Sequence, residues 1–125
     1  MNVPDGFSCE SGGGIWLIVA PLSIKEVERQ LDGFADLVRA AREAKSRAYA
    51  PYSRFQVGAA VVMDGTTFTG ANIENASYGA TLCAERNAIS AAVAAGHRRL
   101  EVVAVATSAP SGTAIDQRSP CGICR

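Results

Sequence analysis

Three cysteines constrain this chain more than any other residues in it. Cys121 and Cys124 form a Cys-x-x-Cys pair in "SPCGICR", and Cys83 opens "CAERNAI" far upstream. A thiol pair needs a partner: another thiol, a metal or a redox client. Four cysteines in 125 residues, Cys9 included, are too few for a disulfide scaffold. In a reducing compartment the pair reads as metal or redox. With Cys83 it offers three thiolates, soft ligands that suit zinc. A fold for this chain must bring Cys83 against the segment at 121–124.

The length is that of one domain. Apolar residues make up 48% and charged residues 19%, the balance of a soluble globular chain. Twelve Lys and Arg against twelve Asp and Glu give zero net charge, which argues against binding a nucleic acid polymer. The longest apolar run, Ile15 to Leu22, falls far short of the ~18 residues of a membrane helix. Its upstream flank carries Asp5 and Glu10 and no Lys or Arg, unlike a secretory signal. These features predict a cytoplasmic protein without membrane contact.

Residues 1–22 contain "SGGG" and no clear period, so they read as a flexible or loosely docked leader, with Trp16 as a tether. The domain proper spans 23–125. Ser23 and Glu26 make a capping box. Val27, Leu31, Phe34, Leu37, Val38 and Ala41 then recur at helical spacing, which predicts a helix to about Ala48, ahead of Pro51. "QVGAAVVM" (56–63) and "TTFTGANI" (66–73) flank Asp64-Gly65 and predict a β-hairpin. A second helix begins near Cys83 and stops at Gly96. "LEVVAVAT" (100–107) reads as a strand buried on both faces. His97 reads as an exposed residue after the helix, Arg98 and Arg99 as a solvated turn.

Glu85 follows Cys83 by two residues, and Pro120 precedes the cysteine pair. Cys-Ala-Glu followed by Pro-Cys-x-x-Cys is close to the zinc deaminase signature, whose first ligand position takes His or Cys. Three protein ligands leave the fourth tetrahedral position for water, as in a catalytic zinc site. At a helix N-terminus the free amides and dipole stabilise the Cys83 thiolate. Three thiolates on Zn²⁺ leave a centre of charge −1, a poor Lewis acid. Arg86 is placed to offset that charge by hydrogen bonding to the sulfurs. Glu85 is placed to take a proton from metal-bound water and return it to the base.

"AYAPYSRFQVGAAV", "GANIENASYG", "CAERNAI" and "PCGICR" together resemble the small homotetrameric cytidine deaminases, from about Ser23 to Arg125. The resemblance implies a three-layer α-β-α fold with a mixed sheet and an N-terminal β-hairpin. It implies zinc on Cys83, Cys121 and Cys124, with Glu85 as proton shuttle and Arg86 tuning the thiolates. Phe55 would pack against the pyrimidine, Asn72 and Glu74 would bond the sugar hydroxyl, and the Ala84 backbone would help read the base. The residues alone also allow Asn72 and Glu74 to be hairpin-end and turn chemistry. Cytidine and deoxycytidine are the implied substrates, within pyrimidine salvage, and a homotetramer the implied assembly. The family continues past this point with a helix and two strands. The chain is therefore expected to be C-terminally truncated, with 100–107 at an unprotected sheet edge. The alternatives are a weak or inactive zinc-binding fragment, or a deaminase of another aminopyrimidine nucleoside.

Overall fold

The computed structural model describes residues 15–19, 24–110, 113–114 and 121–124. Seven elements follow one another. They are β1 (Ile15–Val19), α1 (Ile24–Lys45), β2 (Val57–Met63), β3 (Thr66–Ala71), a 3-10 turn (Tyr78–Ala80), α2 (Ala84–Ala94) and β4 (Leu100–Thr107). Ser23, expected to cap α1, lies outside the described residues, as do Cys9 and Pro120.

The strands form one sheet in the order β1-β4-β2-β3, antiparallel at each pairing. A parallel bridge joins Tyr49 to Ile73 outside the ladders. Alternation along β2 builds two cores from one strand. Ala59, Val61 and Met63 face α2 together with Val103 and Val105. Ala60 faces α1 with Val102, Ala104 and Ala106, against Leu37 and Ala41. The sheet is thus sandwiched between the helices, the expected α-β-α layering. Burial on both sides is why β4 is apolar nearly throughout.

The hairpin forms where Asp64-Gly65 predicts it. Both residues take positive φ, 48° and 76°, and Met63 pairs with Thr66 across a two-residue loop. Asp64 also reaches beyond the turn. Its carboxylate accepts the N–H groups of Arg98 (2.7 Å) and Arg99 (3.2 Å), fastening the hairpin to the chain that enters β4. These bonds hold the Asp64 carboxyl below its ordinary value. His97 is half-buried and tilted against Phe68, with ring centroids 5.0 Å apart, rather than exposed.

Three expectations change. First, β1 lies within the stretch read as a leader and pairs with β4 from Ile15↔Ala106 to Val19↔Val102. Strand β4 is therefore interior, not an edge: β1 satisfies the row of amides and carbonyls that β2 leaves open. Second, α1 stops at Lys45, short of Ala48. Successive bonds from Ser46, Arg47 and Ala48 to carbonyls three residues back tighten the chain, and Tyr49 then donates to the Asn72 carbonyl at 2.9 Å. Third, β3 ends at Ala71, not Ile73. Ile73 leaves the ladder to exchange backbone bonds with Leu82, 2.9 Å each way.

That last departure positions the site. The 72–74 segment is bonded to Tyr49 on one side and to Leu82 on the other. It draws the loop after α1 and the start of α2 to a common place. Gly70 brings α2 close: a Cβ there would stand 2.5 Å from the Ala84 carbonyl and the Ala88 amide, inside any ordinary contact.

Candidate functional site

Cys83 is the N-cap of α2, in extended conformation, and its carbonyl accepts the Asn87 amide at 3.0 Å. Cys121 and Cys124 sit on a turn closed by the Cys124 amide on the Cys121 carbonyl, 3.0 Å. The three Sγ atoms lie within 4.8 Å of one another, with Cys83 and Cys121 3.7 Å apart. A disulfide requires ~2.0 Å. Two thiolates at ~2.3 Å from a tetrahedral zinc stand about 3.8 Å apart. The cluster fits a zinc ion.

Its electrostatics point the same way. Burial pushes the Cys124 thiol strongly up, and the Glu85 charge and neighbouring sulfurs add to it. Burial and then Cys121 raise Cys83 above its ordinary value. Burial raises Cys121 too, but the amides of Cys124 and Ile123 outweigh it and the net shift is downward. Three crowded sulfurs beside a carboxylate favour a cation in their midst.

Glu85 occupies the first turn of α2 and is 6% exposed. Among the described residues its carboxylate has no hydrogen-bond donor. A buried carboxylate whose charge acts on the neighbouring thiols marks Glu85 as a candidate functional group. Arg86 follows it, half-buried. Ala84 is fully buried, its amide among those that open the helix.

The loop after α1, tied to the start of α2 through 72–74, carries the remaining candidates. Phe55 is 36% exposed, an aromatic face open to a ligand. The Asn72 amide clamps the backbone around it: Nδ2 donates to the Phe55 carbonyl (2.9 Å) and Oδ1 accepts the Val57 N–H (2.8 Å). Glu74 Oε2 accepts the N–H groups of Tyr52 (2.9 Å) and Ser53 (3.1 Å), and Oε1 accepts the Ser53 hydroxyl. Those bonds, the hydroxyl first, keep the Glu74 carboxyl below its ordinary value. Both side chains thus carry out the turn chemistry that the residues alone allow. Both keep bonding capacity: an N–H and a lone pair on Asn72, a lone pair on Glu74.

Sequence reasoning missed Ser53, the hydroxyl partner of Glu74. A Ser followed by a residue able to take positive φ, here Arg54 at 57°, was the available signal.

Residues 34–125 match the family model described as the cytidine and deoxycytidylate deaminase zinc-binding region. A cytidine deaminase of Halalkalibacterium halodurans is 52% identical over 90 residues, which is 71% of this chain and 64% of that protein. One from Mycoplasma genitalium is 46% identical over 79 residues, 63% of this chain and 58% of that protein. The chain thus spans less than two thirds of the length of these relatives. Among solved structures, the cytidine deaminase from Burkholderia pseudomallei aligns with a TM-score of 0.59 at 45% identity, over 72% of this chain and 69% of that one. The enzyme from Mycobacterium tuberculosis gives 0.58 at 41%, over 73% and 71%.

Proposed function

This chain belongs to the cytidine and deoxycytidylate deaminase family, and from that premise we propose that it hydrolyses cytidine and deoxycytidine to the uridines with release of ammonia. The observation that carries the reading is the buried Glu85 carboxylate beside three convergent sulfurs.

Cys83, Cys121 and Cys124 would hold zinc. When bound, zinc supplies the Lewis acidity that makes water a nucleophile near neutral pH. The protons are Glu85's work. Its carboxylate accepts one from the attacking water and delivers it to N3 of the pyrimidine, then takes the second from the new C4 hydroxyl and gives it to the departing amine, leaving the C4 carbonyl. Cytidine and water become uridine and ammonia, and Glu85 ends as a carboxylate. Phe55 offers its ring to the base. The free N–H of Asn72 and the remaining lone pair of Glu74 meet the sugar hydroxyl, and the Ala84 amide meets the base.

The assembly we infer is a homo-oligomer, a tetramer by resemblance. Tyr49, Tyr52 and Tyr78, on the loops that flank the site, are 61%, 66% and 93% exposed, and aromatic side chains of this kind are enriched at protein–protein interfaces. No described helix is long and apolar enough to cross a membrane, which agrees with a cytoplasmic place of work.

Two measurements test the reading. Purified protein should carry about one zinc per chain, the stoichiometry of a single three-sulfur site, and should release ammonia from cytidine. A zinc-loaded, folded protein inert to cytidine and deoxycytidine would refute it. Arg86→Gln should weaken zinc affinity and rate by about 10–100-fold, because the guanidinium offsets excess thiolate charge. Chelator competition and initial rates measure both. If neither changes, Arg86 is an ordinary helix residue.

A further inference from the structure

We propose that Ser53 is a positioning residue of this site, its hydroxyl joining the Glu74 carboxylate to the backbone of Phe55 so that the sugar-facing and base-facing groups are held as one unit. The inference rests on the nucleoside-deaminase reading above. A serine hydroxyl has one donor and two acceptor pairs. Ser53 uses both kinds at once: Oγ donates to Glu74 Oε1 and accepts the Phe55 N–H at 3.0 Å. Arg54 makes this possible. Its left-handed φ of 57° turns the next amide back toward the residue before it.

The Phe55 peptide is consequently held at both polar groups. Ser53 takes its N–H, and Asn72 takes its C=O at 2.9 Å. Both holders belong to the substrate-facing loops, and Ser53 also bonds to the third member, Glu74. The same hydroxyl is the foremost cause of the lowered Glu74 pKa, so it helps keep that group an acceptor-only carboxylate. Ser53 is itself exposed, on a loop outside both cores. Losing its hydroxyl removes no packing. What it releases is the orientation of Glu74 and the tether on Phe55.

Binding should therefore suffer rather than folding or the chemical step. In zinc-loaded Ser53→Ala we expect KM for cytidine to rise about tenfold, with kcat within about twofold, because ground state and transition state lose the same contacts. Binding of the product uridine, measured by calorimetry, should weaken by a similar factor. Ser53→Thr, which keeps the hydroxyl, should restore most of both, and the melting temperature of each variant should stay near that of the unaltered chain. Unchanged KM and uridine affinity in Ser53→Ala would overturn the proposal. So would a fall in kcat at constant KM, a collapsed melting temperature, or equal losses in the Thr and Ala variants. An unaltered chain that binds uridine without turning over cytidine would refute the catalytic reading alone, with uridine affinity still deciding Ser53. A chain that does neither refutes both.

Discussion

Glu85→Gln should bind zinc as well as the unaltered chain and lose turnover almost completely. Glutamine keeps the shape of the side chain at a position only 6% exposed, so the packing of α2 against Gly70 and the cysteine turn has no reason to move. What it removes is the ability to accept a proton. A general acid–base group contributes typically ~10²–10⁴-fold, about 3–5 kcal/mol of transition-state stabilisation. Glu85 is asked to serve several transfers in one cycle, so the loss should reach the upper part of that range. Removing its charge also takes away an influence that raises the proton affinity of Cys83 and Cys124. The same charge attracts the cation, so the two effects oppose each other and zinc should stay on the three unaltered sulfurs. Metal analysis beside single-turnover rates separates the two properties. Rates near those of the unaltered chain would remove Glu85 from the mechanism. Joint loss of zinc and rate would make it a structural support of the cluster.

The site was more legible in the sequence than its scaffold, for a physical reason. Metal ligation and proton transfer need particular atoms, and few residue types supply them. Cys83, Glu85, Cys121 and Cys124 therefore announce a chemistry by type and spacing, and the structure brings the three sulfurs together. The hairpin was legible for a similar reason, since two successive positive-φ residues favour pairs such as Asp64-Gly65. Gly96, at φ 99°, ends α2 as expected, with the His97 amide on the Ala92 carbonyl.

What escaped reading depends on partners distant in sequence. Ile15–Val19 shows no alternation, because what makes it a strand is the open side of β4, more than eighty positions away. For Asn72 and Glu74 the residues alone allow turn chemistry but do not name its partners, which are mostly the backbone of 52–57. Those bonds depend on how the Pro51–Gln56 loop folds, which rests on a positive φ at an arginine that few sequence rules would place there. His97 packs on Phe68 only because the hairpin tip and the α2–β4 connection meet at Asp64.

Cys121→Ala should empty the zinc site and abolish turnover, while leaving the sheet and both helices in place. The two cores are built from α1, α2 and the strands, and no residue of the 121–124 turn contributes to either. Cys121 is exposed, so its truncation opens no cavity. Its contribution is chemical. It stands 3.7 Å from Cys83, and the amides of Cys124 and Ile123 make it the thiol of the three whose pKa is lowered. It is thus the sulfur most ready to be a thiolate when a cation arrives. Structural zinc sites hold their ion with apparent free energies of about 10–16 kcal/mol shared over four ligands, so one lost thiolate removes on the order of 3 kcal/mol. That is more than about a hundredfold in affinity. The remaining pair, Cys83 and Cys124, both hold their protons more firmly than a free thiol, and burial is the first cause in each. They form a poor site alone. Dialysis against a moderate chelator, followed by zinc analysis and far-ultraviolet circular dichroism, measures loss of metal and retention of fold separately. One zinc per chain surviving in Cys121→Ala would show that this sulfur is not a ligand.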